Sequence, residues 1–329
     1  MPAPQFHLTF GELLGAEPGT PREMQQAMAD EPIYTRLGSI FHDLPYYGNM
    51  VLMAIRYGLK RPAEESFWGA QLHANRPADF VAHYIASART FEGPLSRAER
   101  LALVGGLISH VALDCTLHPL VNWIARRDSA LDGVSESHHH RLTEKYHSMF
   151  FHLDRFGEDV IGSLAIRRRT VITKASSYLR RNAESPIVQF ATGTMGSFYD
   201  RAPKPREWAS WVRSFRQFGR MVSGPMARRN SFKLRTPAQR EHYFQSSDFD
   251  FYDFWAHSLR MGRDLLQLGL DFFDAGQFDD TARQRFIQAS RIDRKNLGAP
   301  SGEGLPALPA QTTAPDAPSE LPAEVRRVA

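Results

Sequence analysis

The chain has 329 residues, with 42% hydrophobic and 23% charged side chains and a formal net charge of +4, the balance of an ordinary globular protein rather than of a disordered one. A lone cysteine, Cys115, excludes an internal disulfide and a thiolate metal cage, so any metal has to be held by nitrogen and oxygen. The opening stretch MPAPQFHLTFGELLGAEPG has no basic n-region and no apolar h-region, and the longer apolar runs are broken by His, Asp or Arg, so a cytoplasmic protein without a secretory signal or transmembrane helix is expected.

In chain order, apolar residues at helical spacing predict helices over 8–15, 46–58, 78–90, 97–127, 136–156, 158–181, 206–223 and 249–274. A further amphipathic, charged stretch covers 279–295, and the alternation expected of strands is nearly absent. Breakers separate these segments: EPGTP at 17–21, NRP at 75–77, EGP at 92–94, DSALDGVS at 128–135, RAPKP at 201–205 and SGPMARRN at 223–230. Ser96 with Glu99 reads as a capping-box start for the 97–127 helix. The expected architecture is all-α, a single helical domain over 1–295 with its polar chemistry in 1–156 and a basic helical part over 157–295. Residues 296–329 are rich in Pro, Ala, Ser and Thr and lack the large side chains that offset the entropy of ordering, so a disordered tail is expected there.

Two asymmetries stand out. Eleven of the thirteen histidines lie in the first 152 residues. From Arg155 to Arg240 there are 18 Lys and Arg against 5 Asp and Glu, including Arg167, Arg168, Arg169, Arg180 and Arg181. Such a basic segment suits an anionic membrane face or substrate, or simply solvates helix surfaces.

The most informative stretch is LISHVALDCTLHPLVNW at 107–123. His110, Asp114 and His118 recur every four residues in an otherwise apolar run, so on a helix they form one polar line that drifts by about 40° per step. Burying an ionised Asp there costs several kcal/mol unless a cation or hydrogen-bond donors meet it. A divalent metal answers that need, and so does a hydrogen-bonded core His–Asp pair. The segment ESHHHRLTEKYH at 136–147 adds His140 and Glu144, again four apart, with His139 as the neighbouring alternative. Asp43 in LGSIFHDLPYYGN, His73 in FWGAQLHANRPADF and His7 in QFHLTFGELL complete a set of nitrogen and oxygen donors.

The order His7, Asp43, His73, His110-x3-Asp114-x3-His118, His140-x3-Glu144 resembles the zinc-dependent phospholipase C family, whose fold is shared with the S1/P1 single-strand nucleases. The likeness rests on HVALDCTLHP at 110–119, HHHRLTE at 138–144 and GSIFHD at 38–43, within residues 5–156. It implies an all-α fold around two or three zinc ions. By that resemblance, Asp43, His73, His110 and Asp114 hold the first ion. His118, His140 and Glu144 hold the second, and Asp114 with His7 reaches a third. It also implies Asp43 as general base for water attack on a phosphodiester, with a small molecule or phospholipid head group as substrate. Tyr46, Tyr47, Phe67 and Trp68 are read as an apolar wall near the ligands or as packing residues. Two alternatives accompany this expectation. One is a single-strand nuclease, for which EWASWVRSFRQFGR at 207–220 offers aromatics among arginines. The other is a non-catalytic helical protein with a structural metal site.

Overall fold

The computed structural model describes residues 4–49, 55, 58–59, 66–157, 185–222, 236–275 and 280–290. Among them the chain is all-α, and no strand is formed. The helices are α1 Pro4–Ala16, α2 Arg22–Asp30, α3 Pro32–Ser39, α4 Phe67–Ala74, α5 Pro77–Thr90 and α6 Arg97–Asp132. They continue as α7 Glu136–Phe156, α8 Pro186–Tyr199, α9 Pro205–Val222, α10 Pro237–Tyr243, α11 Phe251–Asp274 and α12 Asp280–Ala289, with a 3₁₀ turn at Leu44–Asn49. The helix predicted over 158–181, the arginines at 167–169 and 180–181, and the tail at 296–329 lie outside the described residues, as does most of 50–65.

α6 is the axis of the molecule, packed on by α1, α2, α3, α5, α7 and α11. Ser96 starts it by the expected capping box: its hydroxyl accepts from the Glu99 amide at 3.1 Å, and Glu99 returns a bond to the Ser96 amide at 2.6 Å. Its C-terminus departs from the sequence reading. The helix runs on through DSALD to Asp132 and stops at Gly133, whose φ of 70° fits the left-handed cap that glycine adopts without strain. α6 is long and apolar enough to cross a membrane, yet 89% of its most apolar window is buried inside the protein. Pro119 sits within it directly after His118 and has no N–H to give to the carbonyl four residues earlier.

The crossing of α3 on α6 sets the site. A Cβ on Gly38 would collide with the Leu103 carbonyl, and one on Gly106 with the Thr35 carbonyl. Two glycines therefore let the two backbones touch. Ser39 and Ser109 share a buried 3.0 Å hydroxyl contact at this crossing. The chain then turns from α3 into the 3₁₀ turn, which carries Asp43 beneath α6. α9 packs its Trp208, Trp211 and Phe215 on that turn, all three being buried. Helix α7 returns antiparallel beside α6 after a three-residue link, 133–135, which brings its first turns against the C-terminal part of α6, from His118 to Asp132.

Candidate metal centre

Eight of the donors named from the sequence, all but His139, reach one largely buried cluster. α1 supplies His7, the entry to the 3₁₀ turn supplies Asp43, α4 supplies His73, α6 supplies His110, Asp114 and His118, and α7 supplies His140 and Glu144. Asp114 lies at the centre. His7 Nε2 is 3.4 Å from Asp114 Oδ1 and 3.7 Å from Asp43 Oδ2. His73 Nε2 is 3.4 Å from Asp43 Oδ1 and 3.8 Å from Asp114 Oδ2. His110 Nε2 is 3.1 Å and His118 Nε2 3.4 Å from the Asp114 carboxylate. His118 Nε2 also lies 3.3 Å from Glu144 Oε1, and His140 Nε2 lies 3.1 Å from that same oxygen.

Three groups within this cluster have donor atoms close enough to share an ion: Asp43, His73 and His110; His7, His110 and Asp114; and His118, His140 and Glu144. The i, i+4 spacing is what places Asp114 between His110 and His118, and Glu144 beside His140. Of the three consecutive histidines, only His140 shares Glu144's face. His139 turns away, with its Nε2 2.9 Å from Asp132 Oδ1.

The proton inventory is compatible with a cation here. His110 Nδ1 donates to the Ser39 carbonyl at 2.9 Å, and His73 Nδ1 to the Gly69 carbonyl at 2.9 Å. His140 Nδ1 donates to Asn122 Oδ1 at 2.8 Å. In the neutral ring, a proton held at Nδ1 leaves Nε2 with a lone pair. All three Nε2 atoms then face carboxylate oxygens; His140 Nε2 meets Glu144 Oε1 with hydrogen-bond geometry at 3.1 Å, which a second proton on that ring or a cation between the two atoms satisfies. The 3.1 Å approach of His110 Nε2 to Asp114 Oδ2 is not aligned as a hydrogen bond, and neither atom has a hydrogen-bond partner. Both oxygens of Asp43 and Oε2 of Glu144 likewise have no hydrogen-bond partner while fully shielded from solvent. Unsatisfied buried polar atoms cost about 1–3 kcal/mol each, and carboxylates more. A positive charge between the rings and the carboxylates resolves every one of these contacts, so the residues present fit a bound metal cation.

The electrostatics agree. Burial raises the cost of ionising Asp114, but attraction to His118, His110 and His7 outweighs it and holds the carboxyl well below its ordinary value. Glu144 behaves alike, with His140 and the contacts from His118 and His140 outweighing burial. Burial also disfavours a charged His110, yet Asp114 and Asp43 turn its net shift upward. His7 goes the other way: burial and the neighbouring His110 lower it to about 4. The centre is sealed at one end and open at the other. Asp43 and His110 are 0% exposed, whereas the His118 and His140 side chains are 13% and 26% exposed.

Two participants were not read from the sequence. Asn122 is one turn beyond His118 on α6 and so continues the four-residue stripe, which is the signal that was there to find. His42 is fully buried, stacks on His110 at 5.0 Å between ring centroids and touches His73 edge-on at 5.5 Å, with no partner for either ring nitrogen. The proposed apolar wall divides. Tyr47 and Trp68 are core residues, Tyr46 lies half-buried against His73 at 5.2 Å, and Phe67 is 50% exposed beneath the Arg201 guanidinium. A separate pair, His242 Nε2 on Asp128 Oδ2 at 2.9 Å, is closed by Arg127 and ties α10 to α6. No protein-family model, curated protein or solved structure matches this chain.

Proposed function

We propose that the chain is a zinc-dependent phosphodiester hydrolase of the phospholipase C and S1/P1 nuclease type, acting on a phospholipid head group or a related small phosphodiester. The observation that carries this reading is the convergence of donors: three histidines bonded at Nδ1 aim Nε2 at buried carboxylates, and three groups of these atoms lie close enough to share an ion. An all-nitrogen-and-oxygen donor set of five histidines and three carboxylates suits zinc. Asp43, His73, His110 and Asp114 would hold an inner ion, and His118, His140 and Glu144 an outer one. His7 with Asp114 offers a third position. Zinc bound at these positions supplies Lewis acidity toward phosphoryl oxygens and lowers the pKa of water.

The chain's own residues account for the remaining chemistry. The exposed His118–His140 end admits a phosphodiester and the water that attacks it. Asp43, whose two oxygens accept no hydrogen bond from the protein, takes the proton from that water as its oxygen bonds to phosphorus; the ester P–O bond breaks, and the departing alkoxide takes up a proton from solvent. Asp114 touches four histidines and holds the inner and outer groups in one register. Trp208, Trp211 and Phe215, the aromatics the nuclease reading drew on, are buried and offer no face for base stacking, which favours the small-phosphodiester reading.

The test is hydrolysis of a chromogenic phosphodiester by the full chain with and without zinc. Zinc-dependent turnover is expected, lost in Asp43→Asn together with the inner ion while the outer ion is retained. Zinc binding with no turnover on choline, ethanolamine or nucleotide phosphodiesters would leave a structural metal centre and overturn the hydrolase reading.

A further inference from the structure

We propose that Asn122 is a positioning residue for the outer ion: its side-chain carbonyl fixes the ring of His140 and so sets how tightly His118, His140 and Glu144 hold a cation. The inference rests on reading the cluster as a metal centre. A histidine that ligates through Nε2 is oriented by whatever accepts its Nδ1 proton, and such acceptors also make the ring a better donor. For His73 and His110 those acceptors are backbone carbonyls, of Gly69 and Ser39, fixed by helix packing. For His140 the acceptor is the Asn122 amide oxygen at 2.8 Å. The outer group is thus the one of these three whose orientation depends on a replaceable side chain.

The placement reinforces the point. His140 is the most exposed ligand at 26%, so the surrounding core restrains its ring less than it restrains His110 at 0%. Its ring meets the His118 ring edge-on at 5.1 Å. Asn122 follows His118 by four residues on α6, so one helix supplies both a ligand and the orienter of the ligand opposite. Without an acceptor at 122, the His140 ring loses its fixed tautomer and can turn Nε2 away from Glu144 Oε1, 3.1 Å distant. An acidic side chain at 122 keeps the acceptor and strengthens it.

The experiment loads the full chain with zinc and withdraws it with a competing chelator, for wild type, Asn122→Leu and Asn122→Asp. Nitrogen NMR of the His140 ring reports which nitrogen carries the proton. Asn122→Leu is expected to weaken the outer ion by roughly 10–100-fold while the inner ion is unchanged. Asn122→Asp is expected to hold the outer ion at least as tightly as wild type, with the His140 proton still on Nδ1. Equal weakening of both ions, an Asn122→Asp variant as weak as Asn122→Leu, or no change in Asn122→Leu would each overturn the proposal. If wild type takes up no zinc at all, the metal-centre reading itself fails, a result that no variant is needed to see.

Discussion

At the scale of single residues, Asp114 is the side chain on which the centre depends. Four imidazoles approach its carboxylate between 3.1 and 3.8 Å. Asp114→Asn is expected to lower bound zinc by at least one ion per chain, because an amide brings one weak acceptor and no charge; elemental analysis of the purified variant reads this directly, and unchanged zinc would remove Asp114 from the centre. His42 makes the opposite prediction. Its ring nitrogens meet no partner, so His42→Phe keeps the stacking on His110 and removes two unsatisfied buried atoms. Zinc content should stay at the wild-type value, and metal-free stability should not fall by more than about 1 kcal/mol in urea melts. His147 supplies a pH prediction. Burial lowers it from 6.5 to about 4, with Nε2 donating to the Tyr243 carbonyl. Between those values the unfolded chain takes up a proton that the folded chain refuses, so this group's contribution to stability falls as pH drops from 6.5 toward 4. Comparing pH 7 with pH 5, His147→Gln should lose about 2 kcal/mol less stability than wild type. Spacing and residue type made the eight donors legible. The carbonyls of Ser39 and Gly69 were not, since a backbone acceptor leaves no trace in side-chain identity.

At the scale of elements, the centre is a product of how closely helices approach. Gly38 and Gly106 allow α3 and α6 to touch, which is what brings Ser39 O to His110 Nδ1 and turns the chain toward Asp43. Gly106→Ala should force the helices apart and cost about 1–3 kcal/mol, with weakened zinc binding at the inner ion accompanying the lower melting temperature. Retained stability and retained zinc would show that the contact is slack. The long helices α6, α7 and α11 were readable because sustained apolar periodicity marks them. Helices α2, α3, α4, α8 and α10 were missed: four of them have nine residues or fewer, too short a span to establish a period, while the 14-residue α8, PIVQFATGTMGSFY, is rich in glycine, threonine and β-branched residues that read as non-helical. The end of α6 was placed five residues early because Asp128, Ser129 and Asp132 resemble a loop by composition. In the fold Asp128 is buried against His242, so tertiary pairing overrides that local signal.

At the scale of the whole molecule, three buried carboxylates and five histidines lie at the centre of a twelve-helix assembly among the described residues. Such a core is unfavourable by itself, and cations bound there would offset the cost, so folding and metal binding would be coupled. An ion that binds only the folded chain adds about 2.7 kcal/mol of stability when its concentration is 100 times its dissociation constant. The all-α class followed from periodicity alone, whereas the meeting of α1, α4, α6 and α7 at one point required the order of motifs along the chain. The most direct measurement is elemental analysis of untagged full chain purified without added metal, followed by chelation and zinc titration with the melting temperature recorded at each stage. Two or more zinc ions per chain are predicted, with the melting temperature falling on chelation and recovering on titration. A chain that takes up no zinc, and melts at the same temperature with and without it, would contradict the account.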